Sequence, residues 1–308
     1  MNSLQRIFSF VLFALLSACE QPLSEEEVKT IGLKGCKTAA PFISKYGFKP
    51  SRTAFSTTEK RMKGLVLIEL PSNTADTSRR VWQHESWNQY GYFGAIANDD
   101  LGNIYVAPIP FVNTLDHSLA TIHTIYKVDA HSAEMTPYFV LPTIDSVAGV
   151  VPFAVMGLFF DCQARVLYVS SVAGSTSDYE NGCIYALDLQ QKKIIDTYKG
   201  FDPFGVFVGG ASGQKKLYVG HARTSSVYSI PLTSSGKFSG KKKMEFSLDG
   251  YGPRGMDKAR KIRYNASGDL IVYGLDFSFN LAAQSDIPET IYQWTFDSQV
   301  NKWVYINN

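Results

Sequence analysis

The sequence has little excess charge and no long helical pattern, and each shortage excludes a class of protein. Residues 1–18 hold one of the 30 basic residues and none of the 28 acidic residues, which leaves 29 basic against 28 acidic side chains. This balance gives a polyanion such as DNA no long-range attraction. No long segment repeats its apolar residues with the 3.6-residue period of a helix, which excludes a helical solenoid. Aromatic residues make up 13% of the chain, so we expect a β-rich protein. From the balance of charge, we expect no nucleic-acid partner.

Several catalytic signatures are also absent. The chain has no GxSxG motif, no Walker phosphate loop and no CxxC pair. Its basic runs, 241–243 and 258–263, are interpreted as solvated edges rather than nucleic-acid patches. Lys261 and Arg263 enter a predicted inner strand, so the alternative for them is a place at the edge of a central channel. A non-catalytic protein is therefore favoured, with enzyme activity left open.

The longest predominantly apolar run, residues 7–16, is too short to span a membrane. A bilayer-spanning helix needs about 20 apolar residues, whereas this run has ten and follows Arg6. A basic start, a short apolar core and small residues before a cleavage point are typical of an export signal. The run ends in Leu16-Ser17-Ala18-Cys19, which resembles the lipobox of bacterial lipoproteins.

The lipobox resemblance implies that Cys19 becomes the first residue of the mature chain and carries fatty acyl chains such as palmitate. Two or three acyl chains hold a protein firmly at a membrane. Glu20 in the next position favours the outer membrane of a Gram-negative cell, facing the periplasm or the surface. The alternative is an ordinary cleaved signal with a chance cysteine. We predict a signal peptide over 1–18, a lipidated tether over 19–35, and a folded domain over 36–308 in the cell envelope.

Four segments share the pattern apolar–Tyr–any–apolar, and each follows another short apolar run. The strings IYKV, IYAL, VYSI and IYQW carry the pattern, and IYV, LYV, LYV and LIV stand upstream of them. A further apolar run and a tight turn precede each upstream string, and one more short run follows each Tyr-bearing string. Four short strands in the same order, repeated every 43 to 64 residues, indicate blades arranged around an axis.

We predict an all-β fold, a β-propeller with four antiparallel strands in each blade. Five blades are expected near 40–90, 91–142, 150–200, 203–249 and 253–308, and a degenerate sixth stays open because the first is poorly marked before Lys60. The strings NIYVA and DLIVYG resemble those of NHL-repeat and SMP-30/gluconolactonase-like propellers. For the lactonases, this resemblance implies a divalent cation such as Ca²⁺ at the channel mouth, held by carboxylate and amide oxygens.

The predicted connections sort by length between the two faces of the propeller. With strands named A to D from the axis outward, the B–C and D–A connections emerge on one side, the long-loop face. The A–B and C–D turns emerge on the opposite, short-turn face. Long loops inside a compact domain are uncommon and usually functional or disordered, so we predict that the long-loop face binds a small-molecule or protein partner. The residues predicted on this face are Trp87, Tyr92, Phe93, Phe153, Phe204 and Arg254.

Polar residues near the predicted channel mouth point to an alternative function, metal-dependent hydrolysis of a lactone or ester. The sequence shows no convincing copy of the lactonase ligand set, and a solvated polar rim is the simpler interpretation. Arg254 likewise has two interpretations, a ligand anchor or an arginine bound to neighbouring carbonyls. His117 and His123 lie six residues apart in a loop, without the spacing of metal ligands on a helix. The candidate catalytic or metal-binding residues are His221, Arg223, Asp276, Asp202 and Asp257.

The cysteines other than Cys19 are odd in number, so at least one of them has no partner within the chain. Cys162 and Cys183 lie at opposite ends of a predicted blade. A five-residue strand spans about 17 Å, whereas bridged cysteines need Cα atoms within about 7 Å. We therefore disfavour a bridge between these two and expect any disulfide to include Cys36.

Overall fold

The computed structural model describes residues 36, 38–59, 62–72, 79–108, 119–142, 153–210, 214–279 and 288–306. Within these residues the strands form one three-stranded and four four-stranded sheets, all antiparallel. The sheets are the blades of a five-bladed β-propeller. The predicted all-β propeller with five blades is confirmed.

The strands of the first two blades run from residue 53 to residue 140. The first blade contains β1 (Thr53–Ser56), β2 (Val66–Glu69) and β3 (Arg80–Trp82). The second contains β4 (Phe93–Asn98), β5 (Ile104–Pro108), β6 (Thr124–Val128) and β7 (Met135–Val140).

The other three blades follow the four-strand pattern from the axis outward. The third contains β8 (Val155–Asp161), β9 (Val166–Ser171), β10 (Cys183–Asp188) and β11 (Lys193–Lys199). The fourth contains β12 (Pro203–Gly209), β13 (Lys216–His221), β14 (Ser226–Pro231) and β15 (Lys243–Ser247). The fifth contains β16 (Lys258–Tyr264), β17 (Leu270–Leu275), β18 (Thr290–Asp297) and β19 (Lys302–Tyr305).

Apolar residues on both faces of the inner strands join neighbouring blades. In β9, Leu167 and Val169 pack toward the second blade, whereas Val166 and Tyr168 pack toward the fourth. The alternation follows from the two-residue period of a strand, and burial on both faces explains why residues 166–169 of β9 form an unbroken run of Val, Leu and Tyr. Each fully buried large apolar side chain contributes about 1.5–3 kcal/mol relative to an exposed one.

The first blade departs from the prediction of four strands, because the described residues form only three there. The chain before β1 instead forms a short α-helix, Pro41–Lys45, and a 3-10 turn, Pro50–Arg52. Pro41 suits the first helical position because its φ angle is already helical. Phe42 and Ile43 of this helix are buried in the core between the first and second blades, which includes Trp87.

The inner strands of the fourth and fifth blades approach so closely that glycine is required. A Cβ at Gly220 would lie 2.1 Å from the carbonyl oxygen of Ala259. A Cβ at Gly205 would lie 2.3 Å from the carbonyl oxygen of Arg260. The two glycines therefore set the distance between these blades.

A disulfide joins Cys36 to Cys162, with a Cα–Cα distance of 5.7 Å across 126 residues of sequence. Cys183 is buried and free. The prediction that any bridge would include Cys36 is confirmed. Because Cys162 directly follows β8, the bridge lies on the short-turn face.

The predicted signal peptide and Cys19 lie outside the described residues. Helices in the described part of the chain are all too short or too polar to span a bilayer.

Candidate functional site

The long connections emerge on the same face of the propeller, as the sequence predicts. Strand β13 ends beside the start of β12, where Pro203 pairs with His221 and the amide of Ala222 donates to the carbonyl oxygen of Asp202 at 2.8 Å. The B–C and D–A connections therefore share this face. The connection between β9 and β10 is described throughout, whereas parts of three others, 109–118, 143–152 and 280–287, lie outside the described residues.

Asp202 and Arg223 hold the loop between β9 and β10 in one conformation. Arg223 Nε donates to Asp202 Oδ2 at 2.6 Å, and the Asp202 side chain is fully buried. The same guanidinium donates to the carbonyl oxygens of Thr176, Ser177 and Tyr179 at 2.5–2.7 Å. An arginine donates through five N–H groups, so one side chain can bind several carbonyl oxygens of a loop at once. These contacts are called the Arg223 clamp.

Asp202 accepts further hydrogen bonds from the same loop. Its Oδ1 receives the Ser175 hydroxyl at 2.5 Å and the Gly182 amide at 2.8 Å. Glu180 completes the connection by accepting from the Asp202 amide at 2.9 Å. The loop is therefore fixed near both of its ends by one buried carboxylate.

His221 lies beside this clamp and is mostly buried. Its Nδ1 accepts a hydrogen bond from the Arg223 amide at 3.0 Å, so the ring proton lies on Nε2, which faces Glu180 Oε1 at 3.3 Å. Burial lowers the pKa of His221 below its ordinary value, and the nearby Glu180 carboxylate opposes this. Nδ1, the nitrogen that a neutral imidazole with its proton on Nε2 would use as a base, is thus occupied by the Arg223 amide.

Arg254 and Asp257 form a second clamp, at the start of the fifth blade. Arg254 Nε and Nη2 bind the two Asp257 oxygens at 2.6 and 2.7 Å. Arg254 also donates to Thr290 Oγ1 at 2.8 Å and to the Pro288 carbonyl oxygen at 3.2 Å, where β18 begins. Burial would raise the pKa of Asp257, but hydrogen bonds from Arg254 and from Tyr292 lower it below its ordinary value. These contacts are called the Arg254 clamp.

Phenylalanines from three blades form an apolar cluster on this face. Phe277 lies between Phe153 and Phe204, with ring centroids 5.2 and 5.0 Å away, and all three are buried. Phe279 packs edge-on against Phe277, and the Arg223 guanidinium lies 4.7 Å from the Phe279 ring centroid. Phe153 and Phe204 therefore contribute to packing and offer little surface to a ligand.

The remaining predicted binding residues differ in their positions. Phe93 is buried and packs edge-on against Tyr126, with ring centroids 5.7 Å apart, and Tyr92 is half-buried. Trp87 is fully buried, which differs from the predicted place on the long-loop face. Its indole donates to the Ala133 carbonyl oxygen at 2.7 Å. Ala133 belongs to the turn between β6 and β7, on the short-turn face.

The candidate catalytic residues do not form a single cluster. His221, Arg223 and Asp202 meet in the Arg223 clamp, whereas Asp257 belongs to the Arg254 clamp. Asp276 is exposed and pairs with Lys258 at 3.7 Å between Nζ and Oδ1. No group of three His, Cys, Asp or Glu side chains within the described residues could hold a metal ion.

The hydrogen-bonding roles of Ser175 and Tyr292 were not predicted from the sequence. Tyr292 donates to Asp257 Oδ2 at 2.9 Å. A signal was present, because Asp202 and Asp257 each stand one residue before an inner strand, at equivalent places in adjacent blades. A repeated acidic residue at the entry to a buried strand indicates a carboxylate that needs partners.

A pocket of about 480 Å³ lies next to the Arg223 clamp. Glu180, Asn181 and Gly182 of the clamped loop line one side, and residues of β10 and β11, among them Tyr185 and Thr197, line the other. Its volume is in the range of small-molecule sites, which is about 300–1,000 Å³.

Comparisons with known proteins find similar solved structures only at low sequence identity. No protein-family model matches the chain, and no curated protein sequence matches it. Similar structures include a periplasmic gluconolactonase of Pseudomonas aeruginosa (11% identity, 85% of this chain and 72% of that chain, TM-score 0.49). A putative oxidoreductase (glucose dehydrogenase) of Thermus thermophilus matches at 15% identity over 78% of each chain, with a TM-score of 0.45.

An exo-β-1,3-galactanase of Phanerochaete chrysosporium is also similar, at 11% identity over 83% of this chain, with a TM-score of 0.47. The chain spans only 61% of the galactanase. At these identities and TM-scores, the similarities carry no inference about the reaction of this protein.

Proposed function

We propose that the protein recognises a ligand or partner through its long-loop face, at the loop between β9 and β10 and the neighbouring connection to β16. The observation that carries this proposal is the pair of arginine clamps. Each holds a connection on this face with a fully buried carboxylate and with hydrogen bonds to neighbouring groups. A loop that is ordered before binding loses less conformational entropy when it binds.

Both clamped connections present an exposed apolar side chain. Tyr179 is 46% exposed although its carbonyl oxygen is bound by Arg223. Met256 is 56% exposed, and its carbonyl oxygen accepts from Lys258 Nζ at 2.8 Å. Tyrosine and methionine are enriched at recognition surfaces because they offer large contact area. The pocket beside Glu180 and Asn181 would receive a polar part of the ligand.

A photo-crosslinking amino acid at position 179 or 256, in the native envelope, tests this proposal. We expect defined adducts from both positions. Leu101 and Val300 are the matched controls, because they are 57% and 58% exposed on turns of the short-turn face. Equal adducts from the two faces, or adducts from the controls alone, would contradict the proposal.

We also propose that acylated Cys19 anchors the protein in the cell envelope. The lipobox string supports the anchor, and the Cys36–Cys162 bridge suits an oxidising compartment outside the cytosol. In cells fed an alkyne-labelled palmitate, the wild-type protein should be labelled and remain with the membrane fraction. Cys19→Ala should lose both properties, whereas Cys183→Ala should keep them. Label retained by Cys19→Ala would refute the anchor.

Metal-dependent hydrolysis of a lactone or ester is the second candidate. The blade strings NIYVA and DLIVYG and the shared propeller fold motivate it. A cation would polarise the carbonyl or activate water. Asp202 and Asp257 would have to exchange their arginine partners for such a cation. Elemental analysis of the purified protein and lactone assays with added Ca²⁺ or Zn²⁺ decide the matter, since a metal-free, inert protein eliminates this candidate.

A further inference from the structure

Two basic side chains stand side by side on the inner strand of the fifth blade. Lys261 and Arg263 are two residues apart in β16, so both point to the face opposite the fourth blade. The alternate residue, Ile262, packs into the core with the fourth blade. Both basic residues are exposed.

A tyrosine of the next strand joins the two cations. Tyr273 of β17 lies opposite Lys261 in the register, and its hydroxyl accepts a hydrogen bond from Arg263 Nη2. Its ring centroid is 5.6 Å from Lys261 Nζ and 5.2 Å from Arg263 Cζ. The tyrosine ring therefore brings both charges over one small area of the sheet.

No carboxylate in the described part of the chain forms an ion pair with either cation. Glu289 is paired with Arg260, whose Nε donates to Glu289 Oε1 at 2.5 Å. Asp269, at the end of the same sheet, accepts from Asn265 and Gln293. Among the described residues, the Glu289 carboxylate offsets only part of the repulsion between the two charges, because its effect on Lys261 is smaller than that of the neighbouring arginines.

The protonated form of Lys261 is disfavoured by its surroundings. Although the Lys261 side chain is partly open to solvent, the protein atoms packed around it lower its pKa below the ordinary value, the positive charges of Arg263 and Arg260 lower it further, and Glu289 opposes this. A bound anion would reverse the effect of both arginines. Ile291, opposite Tyr273 on β18, is 63% exposed, so apolar surface adjoins the charges.

We propose that Lys261, Arg263 and Tyr273 form a binding site for the carboxylate or phosphate group of a small organic acid. The planar guanidinium suits two acceptor oxygens, and the ammonium supplies a compact charge beside it. The apolar part of the ligand would rest on Ile291. The site is built on strands of the fifth blade, so it is independent of the clamped loops proposed above.

Amine labelling with peptide mapping tests this site in the wild-type protein. At constant ionic strength, a trace of an amine-reactive reagent should modify Lys261 faster than Lys302, an exposed lysine on β19 of the same blade. Inorganic phosphate, or separately succinate, should slow the labelling of Lys261 several-fold and leave Lys302 unchanged. Protection by one of the two anions identifies the phosphate or the carboxylate as the preferred group.

Arg263→Gln provides the second arm of the test. This variant should lose anion protection of Lys261, whereas the matched control Lys302→Gln should keep it. Three results would overturn the proposal. They are protection that persists in Arg263→Gln, equal slowing of Lys261 and Lys302 by either anion, and no protection of Lys261 in the wild-type protein. Because labelling is measured at Lys261, the result does not depend on whether the long-loop face binds a ligand or partner.

Discussion

Arg223 binds Asp202 at 2.6 Å while its other guanidinium nitrogens bind three carbonyl oxygens of the preceding blade. One side chain therefore joins a strand entry in the fourth blade to a loop of the third. The Asp202 side chain is fully buried, so solvent cannot reach it and take the place of Arg223.

Asp202→Asn should destabilise the fold by about 2–3 kcal/mol, because removing one partner of a buried pair leaves the other charge uncompensated. The partly exposed Arg223, which keeps its carbonyl contacts, limits the loss. Urea unfolding measures the change. Asp100→Asn removes a surface partner of Arg165 and should cost less than about 1 kcal/mol. Equal losses for the two variants would argue against the clamp.

His221 should make stability depend on pH. Its folded pKa is lowered, so the unfolded state binds more protons, and stability present above the unfolded pKa is lost as pH falls toward the folded pKa. The free energy of unfolding should therefore fall below about pH 6.5, with a maximum slope near 1.4 kcal/mol per pH unit for one group. His221→Gln should remove this share of the slope, and the exposed His131→Gln should not.

The Cys36–Cys162 bridge should contribute about 2–5 kcal/mol to stability. Thermal unfolding with and without reductant should show a lower midpoint for the reduced protein. Cys183→Ala should keep the sensitivity to reductant, because Cys183 is free, whereas Cys36→Ser should lose it. A Cys162–Cys183 peptide after non-reducing digestion would contradict the assignment.

Gly220→Ala should destabilise the protein by roughly 1–3 kcal/mol through overpacking between the fourth and fifth blades. The added Cβ meets the backbone of Ala259, which cannot move as a side chain can. Gly240→Ala is the matched control, because its nearest neighbour is the Pro231 side chain at 3.3 Å. Similar midpoints in denaturant for wild type and Gly220→Ala would show that the strands can separate without cost.

The strands could be predicted because their burial follows a local two-residue period. Tyr126, Tyr185 and Tyr292 pack between blades, as their repeated pattern indicates. The position of Trp87 could not be predicted this way. Its connection forms a 3-10 turn, Glu85–Asn88, in which the Ser86 hydroxyl accepts from the Met135 amide. A contact across 49 residues leaves no periodic trace in the sequence.

The candidate site was predicted in part. Loop lengths indicated the face, because an antiparallel blade places alternate connections together. The partners of Arg223 and Arg254 depend on how closely loops of adjacent elements approach, and spacing along the chain carries no such information. The same limit applies to Phe277, which lies between two phenylalanines of other blades.

The Cys36–Cys162 bridge also has a mechanical consequence. All strands of the first two blades lie within the covalent loop that it closes. Tension applied at the amino terminus would pass through the sulfur atoms into the third blade, and the two enclosed sheets would carry none of the load. A single protease cut inside that loop would likewise leave both fragments covalently joined.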